Sequence, residues 1–186
     1  MSFKKLDLAD LCNHKLIYYG SPNPQRDAGL DNIYIIKDVF LAAQRAPVKS
    51  SVDVTFDYQF GMYDNIQCEG QRIRLNLYAK KIHLVGFAYW GDAYENVEIV
   101  YEDGTRDWRE ALFVDWARPF NHFLDLGQKK DARVEDLFAL TSSGVLTHLI
   151  YMHDCICELD GRKHVKEIVL PDNMLIHLFA VTVEYE

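Results

Sequence analysis

Aromatic, acidic and basic side chains suited to binding a sugar cluster around two predicted turns of this chain. Sugar rings present flat C–H faces, so a binding site commonly sets an aromatic ring beside groups that hydrogen-bond hydroxyls. In that role the aromatic rings stack, the carboxylates accept hydrogen bonds, and the arginine and histidine donate them. If both turns lie at the same end of the fold, they form one rim. The predicted rim consists of Trp90, Asp92, Tyr94, Asp115, Trp116, Arg118 and His122.

The tryptophans also have a purely structural interpretation. Trp is largely buried on average, so Trp108 and Trp116 are equally typical of residues that fill a core or seal a sheet edge. For Trp90 the packing and binding interpretations are about equally supported, because it stands beside a Gly-Asp turn. The exposure of the indole rings is the observation that separates binding from packing.

Histidines and cysteines near the carboxyl end have partial metal-ligand spacing. On a predicted strand His153, Cys155 and Cys157 share one face, whereas His148 points to the other. Same-face neighbours are about 7 Å apart, and one regular strand rarely gives two ligands to a zinc ion. We therefore expect buried thiols that pack as small apolar groups, with no metal site. His177, among apolar neighbours, is expected to be a hydrogen-bonded core histidine.

Sequence signatures of catalysis are lacking. The chain has 28 acidic residues, but none stands in a context that marks the facing pair a glycosidase needs. There is no G-x-S-x-G elbow and no Gly-rich phosphate loop. We predict a protein that binds without transforming its ligand and that needs no cofactor.

A structural calcium ion is a separate candidate ligand. Asp27, Asp31 and Asn32 lie in one loop and carry the oxygen atoms that calcium prefers. The alternative is that this loop is solvated and holds no ion.

Composition and charge exclude several classes of function. Hydrophobic residues make up 49% of the 186 residues, which is enough for a sizeable core. The net charge of −8 disfavours nucleic acid and anionic lipid, which both attract clustered basic residues. The sequence shows no secretory signal and no apolar run of membrane-spanning length. We expect a cytoplasmic protein with reduced cysteines.

The hydrophobic pattern predicts an antiparallel all-β fold. Residues 51–60 and 71–77 alternate apolar and polar positions, as half-buried strands do. Residues 82–90 are apolar at nearly every position, which is typical of a strand buried on both faces. Asp103-Gly104 predicts a tight hairpin with a type I′ turn. Further predicted strands span residues 97–101, 145–159, 165–170 and 174–185, whereas residues 33–43 are ambiguous between strand and helix.

Strand number and spacing predict two stacked antiparallel sheets. Roughly eight to ten strands with turns about every ten residues are typical of a β-sandwich or jelly roll. We expect one such β-sandwich domain over residues 1–186.

Five motifs, in order along the chain, carry a family resemblance. They are GQRIRL (70–75), IHLVGFAYWGD (82–92), VYEDGTRD (100–107), FVDWARP (113–119) and KEIVLPDNMLIHLFAVTVE (166–184). In this combination the chain resembles the galactose-binding-like β-sandwich modules associated with glycoside hydrolases. The resemblance implies a jelly-roll topology and a mostly non-catalytic, carbohydrate-associated role.

The predicted function is therefore carbohydrate binding through the rim of aromatic and polar residues. Two alternatives remain open at this point. A structural homodimer would bury a face of the strand at residues 151–157, which is apolar on both sides. A sugar-processing enzyme would require a deep pocket in which two carboxylates, or a metal with its ligands, converge.

Overall fold

The computed structural model describes residues 2–20, 29–31, 33–45, 63–117, 133–141, 143–144 and 148–186. Within these residues the chain is almost entirely strand, with one helix, α1 (Lys37–Arg45), so the predicted all-β class is confirmed. The strands are β1 (Ser2–Lys5), β2 (Ile17–Tyr18), β3 (Ile33–Ile36), β4 (Ile66–Glu69), β5 (Arg72–Ala88), β6 (Ala93–Tyr101), β7 (Arg106–Phe113), β8 (Arg133–Thr141), β9 (Ser143–Gly144), β10 (Leu149–Glu158), β11 (His164–Val169) and β12 (Asp172–Tyr185).

A large antiparallel sheet of nine strands dominates the fold. Its main path runs β1-β12-β5-β11-β6-β7, while β10 pairs with β5 and β8, and β4 pairs with β12. A small second sheet has the order β2-β3-β9. In the small sheet β2 and β3 are parallel, and β3 and β9 are antiparallel.

Strand β5 connects the two halves of the large sheet. Its first part pairs with β11 up to Tyr78, and its second part pairs with β12 and β10. The sequence predicted two separate strands here, because the pattern changes between residues 77 and 82. The structure has one strand with a bulge, where Asn76 adopts a φ of 52° and the pairing register with β11 shifts. A bulge bends a strand without ending it, so the chain passes from one half to the other.

The main core lies between these two halves, which gives the fold a sandwich-like form. Ile82 and Leu84 of β5 pack in the same cluster as Val97 and Ile99 of β6 and Phe113 of β7. Each of these residues is almost completely buried. Burial of apolar area on this scale is the principal stabilising contribution to such a fold.

A second core covers the opposite face of the central strands. Val85 and Phe87 alternate with the residues of the first core along β5, and they pack with Ile35 of β3 and Phe40 of α1. Strand β5 is therefore buried on both faces at this level, as its nearly continuous apolar sequence predicted. The ambiguous segment at residues 33–43 contains both predicted elements, since β3 leads directly into α1.

The hairpin between β6 and β7 forms at Asp103-Gly104 as predicted, but the type I′ turn is wrong. The Tyr101 carbonyl accepts the Gly104 N–H at 3.1 Å, and the Tyr101 N–H donates to Thr105 at 2.9 Å. Gly104 has a φ of 83°, whereas Asp103 is not among the residues with positive φ. This is a three-residue loop, a type I turn followed by a glycine bulge. The Asp103 carboxylate accepts the Thr105 N–H at 2.8 Å and stabilises the loop.

Other boundaries differ from the sequence-based expectations. Strand β10 begins at Leu149, so His148 precedes it and does not share a regular strand with His153. Strand β1 had no signal in the sequence and is fixed by pairing with β12. The strand predicted at residues 51–60 lies outside the described residues. In the described part of the chain, no helix is both long enough and apolar enough to span a membrane.

Candidate functional site

Three chain segments meet beside the second core and form a cleft. The Ala88 N–H donates to Val114 at 2.8 Å, and the Trp116 N–H donates back to Ala88 at 2.9 Å. The Tyr151 N–H in turn donates to Trp116 at 2.7 Å. These bonds fix the end of β5, the segment after β7 and the start of β10 relative to one another.

The cleft has a volume of about 500 Å³, which lies within the range of small-ligand sites. Aromatic rings dominate its walls. Among the lining residues that the structure describes, one carries a carboxylate and none is lysine or arginine. The lining consists of Ile33, Tyr89, Trp90, Asp115, Trp116, Ala117, His148, Leu149 and Tyr151.

Trp116 forms the inner wall of the cleft. It is 4% exposed and packs in the second core against Phe87, with ring centroids 5.5 Å apart. Tyr89 and His148 meet it edge to face, at 4.8 Å and 5.3 Å. The packing interpretation of this tryptophan is therefore confirmed, and Trp116 also lines the cleft.

Trp90 stands at the mouth of the cleft and is 74% exposed. Its φ of 66° places it in the left-handed region, which side chains larger than glycine rarely adopt. Gly91 follows with a φ of 117°, so the chain turns sharply at this point. A strained and exposed aromatic residue is an unusual combination, and such strain is concentrated at functional sites.

Two carboxylates hold the turn that presents Trp90. Asp115 accepts the Gly91 N–H at 2.5 Å through Oδ2 and the Ala117 N–H at 2.8 Å through Oδ1. Asp92 accepts the Asp115 N–H at 2.8 Å. Each oxygen of Asp115 keeps a second lone pair with which to accept a hydrogen bond from a ligand.

Tyr89 links the cleft to the turn that precedes β3. Its hydroxyl donates to Asp31 Oδ2 at 2.5 Å. Desolvation, followed by the hydrogen bond and charge of Asp31, raises the pKa of Tyr89 well above its usual range. The hydroxyl therefore remains protonated at physiological pH and acts as a hydrogen-bond donor.

The structure brings together part of the predicted rim. Trp90, Asp115 and Trp116 line the cleft, and Asp92 lies behind them as part of the turn. Tyr94 is 44% exposed on β6 but is not among the lining residues. Arg118 and His122 lie outside the described residues.

Sequence reasoning missed several residues of the cleft. Tyr89 was detectable, because it precedes Trp90 directly and the pair Tyr-Trp stands before the Gly-Asp turn. Tyr151 of β10 and His148, just before β10, had no such signal, since long-range pairing brings the start of this strand to the site. Trp108 is 57% exposed on β7 and does not line the cleft, so it neither fills the core nor contributes to this site.

The cysteines behave as packing residues. Cys155 and Cys157 are buried in the main core, and a hydrogen bond with Cys157 together with burial raises the pKa of the Cys155 thiol. Burial raises the pKa of Cys12 to about 11. The Cys12 and Cys155 thiols are therefore protonated at neutral pH and are poor nucleophiles and metal ligands.

Metal donors do not converge in the described part of the chain. No group of three or more histidine, cysteine, aspartate or glutamate side chains is placed there to hold an ion. Of the three residues considered for calcium, Asp31 accepts the Tyr89 hydroxyl. Asp27 and Asn32 are outside the described residues.

A second concavity, of about 640 Å³, lies beside the β6–β7 hairpin. It is more polar than the first, and three of its charged residues, Asp103, Arg162 and Lys163, have side-chain partners. Arg162 binds Asp160 through two hydrogen bonds of 2.9 Å and 3.1 Å, and Lys163 lies over the Tyr101 ring at 4.7 Å. Tyr78 and Tyr101 line it, but no tryptophan does, and its lining is mostly charged. The cleft at Trp90, with its two indoles, is therefore the better candidate site for stacking a sugar ring.

Comparison with known proteins assigns this chain to no family, so its function is inferred from the geometry of the site. No protein-family model matches the chain, and no curated protein shows significant sequence similarity to it.

Proposed function

We propose that this protein is a carbohydrate-binding module with a galactose-binding-like, jelly-roll β-sandwich fold and no catalytic activity. The observation that carries the proposal is Trp90, an exposed indole held in a strained conformation at the mouth of an aromatic cleft. A flat aromatic surface beside hydrogen-bonding groups is complementary to the C–H face and hydroxyls of a sugar ring. The large antiparallel sheet and its sandwich-like core support the fold part of the proposal.

The polar groups of the cleft have complementary roles toward hydroxyls. Asp115 retains acceptor capacity on both oxygens after its bonds to Gly91 and Ala117. His148 lies against Trp116 and supplies an imidazole beside the indole. One ring would stack on Trp90 while its hydroxyls reach Asp115 and His148.

Binding is favoured over hydrolysis by the distribution of carboxylates. Glycosidases use two carboxyl groups that flank the scissile bond. Among the described lining residues Asp115 is the one carboxylate, and both of its oxygens hold backbone N–H groups. Such a carboxylate positions a loop rather than transferring protons.

A glycan array followed by titration calorimetry tests the proposal. We expect an oligosaccharide to bind, and Trp90→Ala to weaken it about tenfold or more through loss of the stacking surface. Trp108→Ala is the matched control, because Trp108 is also exposed but lies outside the cleft. Absence of any glycan ligand at millimolar concentration, or equal losses in both variants, would remove the proposal.

Self-association is a second candidate function, favoured by apolar residues around the cleft mouth. Leu175 accepts the Tyr89 N–H at 2.7 Å, and Leu175, Leu149 and Trp90 are 43%, 49% and 74% exposed. The dimer surface considered from the sequence, residues 151–157, is not available, because β10 is paired on both sides and residues 152–157 are buried. Light scattering on the wild type and Trp90→Ala tests this candidate, which predicts a dimer that the substitution dissociates.

A further inference from the structure

One carboxylate lines the cleft, and two more contact its lining residues. Asp115 lines it, Asp92 bonds to the backbone of Asp115, and Asp31 accepts the hydroxyl of the lining residue Tyr89. Among the described lining residues there is no lysine or arginine. The whole chain adds to the field with its net charge of −8. Low-dielectric walls strengthen such a field inside a cleft.

The aromatic walls also favour a positively charged ligand. The faces of indole and phenol rings carry partial negative charge, and they attract cations that lie within about 6 Å of the ring centre. Trp90, Trp116 and Tyr151 all line the cleft. A ligand that carries a positive charge would therefore meet favourable electrostatics both from the rings and from Asp115.

From this arrangement we infer that the cleft selects amino sugars, whose amine is protonated, over neutral sugars of the same ring geometry. This inference rests on the proposed carbohydrate-binding function and names the ligand class within it. The pyranose ring stacks on Trp90, and its ammonium group lies near Asp115. An acidic sugar is disfavoured, because its carboxylate would be desolvated beside like charges.

Three trisaccharides that share the β-1,4-linked glucose skeleton test the inference by calorimetry. Cellotriose carries a hydroxyl at C2, the glucosamine trimer an ammonium group, and the N-acetylglucosamine trimer a neutral amide. Below the amine pKa we expect the glucosamine trimer to bind about tenfold more tightly than cellotriose. The advantage should vanish above the amine pKa and shrink in about 1 M salt.

A charge-removing substitution separates electrostatics from shape. Asp31→Asn keeps an oxygen that accepts the Tyr89 hydroxyl but removes one negative charge, so the preference for the ammonium trimer should fall about threefold. Glu102→Gln removes an exposed charge at the far end of β6 and should leave the preference unchanged.

The outcomes distinguish this inference from the function on which it rests. Equal affinity for cellotriose and the glucosamine trimer overturns the charge preference and leaves the carbohydrate-binding proposal standing. Failure of all three trimers to bind also overturns the charge preference, whereas the glycan array decides the proposed function separately.

Discussion

The side chains of Asp92 and Asp115 each accept a hydrogen bond from the backbone of the other residue's loop. The carboxylate of Asp92 accepts the backbone N–H of Asp115 at 2.8 Å, and the carboxylate of Asp115 accepts the N–H of Gly91, the neighbour of Asp92, at 2.5 Å. The two loops belong to the ends of different strands, β5 and β7. This reciprocal arrangement fixes the turn in which Trp90 is presented, so the position of the indole depends on two buried or partly buried carboxylates.

Removing the Asp115 carboxylate should destabilise the protein and weaken ligand binding together. In Asp115→Ala the N–H groups of Gly91 and Ala117 lose their acceptor, and we expect a cost of about 1–3 kcal/mol in the free energy of unfolding. Urea denaturation measures it. Asp172→Ala, at an exposed position at the start of β12, is the control and should change stability by less than about 0.5 kcal/mol. Similar losses of stability in both variants would show that the hydrogen bonds to the Asp115 carboxylate contribute nothing.

The strain at Trp90 should be measurable by comparing two substitutions that both remove the indole. Alanine keeps the penalty of the left-handed conformation and glycine does not, so Trp90→Gly should be more stable than Trp90→Ala by about 1 kcal/mol. Both should lose ligand binding. Thermal unfolding and calorimetry on the pair give the result. In Trp108→Gly and Trp108→Ala, at a regular strand position, the order should reverse. Equal stability of the two Trp90 variants would contradict the assigned strain.

Gly86 is required by the close approach of β5 and β12. A Cβ atom at this position would lie 2.0 Å from the backbone oxygen of His177. We expect Gly86→Ala to destabilise the fold by about 3 kcal/mol or more, since backbone on both strands must move. Gly70→Ala is the comparison, because Gly70 has a φ of 74° but open space around it, and its cost should stay near 1 kcal/mol. Chemical denaturation measures the free energy of unfolding of both variants. Equal losses would contradict the explanation that a Cβ at Gly86 clashes with the backbone of β12.

Two buried groups near β4 have pKa values displaced in opposite directions. Burial, with a smaller contribution from the charge of His14, lowers the pKa of His177 from 6.5 to about 3, while its Nδ1 lies 2.9 Å from Asn65 Oδ1. Burial raises the pKa of Asp64 from 3.8 to about 6, although the carboxylate accepts the N–H groups of Leu16 and Ile17. The expected core histidine is thus found, with a hydrogen bond.

These displacements predict opposite dependences of stability on pH. Between pH 6.5 and about 3 the unfolded chain protonates His177 and the folded chain does not, so this group removes stability as the pH falls. Between pH 3.8 and about 6 the folded chain retains the Asp64 proton longer, so this group removes stability as the pH rises. Each slope reaches at most about 1.4 kcal/mol per pH unit.

Unfolding titrations of two variants separate the contributions. Relative to the wild type, His177→Gln should gain stability as the pH falls through the His177 window. Asp64→Asn should gain relative stability as the pH rises through the Asp64 window. Nitrogen chemical shifts of the His177 ring provide a measurement that needs no variant, and they should report neutral imidazole down to about pH 4. A ring that protonates near pH 6.5 would contradict the prediction.

Local pattern predicted more of the fold than of the site. The apolar run at residues 82–90 predicted a strand buried on both faces, and the second half of β5 has a core on each side. The merging of two predicted strands into β5 escaped notice, because the bulge at Asn76 is visible only through its pairing with β11. Strand β1 likewise depends on β12, a partner almost the whole chain away.

The sequence by itself determined the all-β class, the β6–β7 hairpin and the nearness of Trp90 to a sharp turn, because alternation and turn chemistry act over a few residues. Only the tertiary structure decided that Tyr89, Trp116 and Tyr151 share one cleft and that Trp108 does not. Those relations come from hydrogen bonds between strand ends remote in the chain, and no local pattern encodes which ends meet.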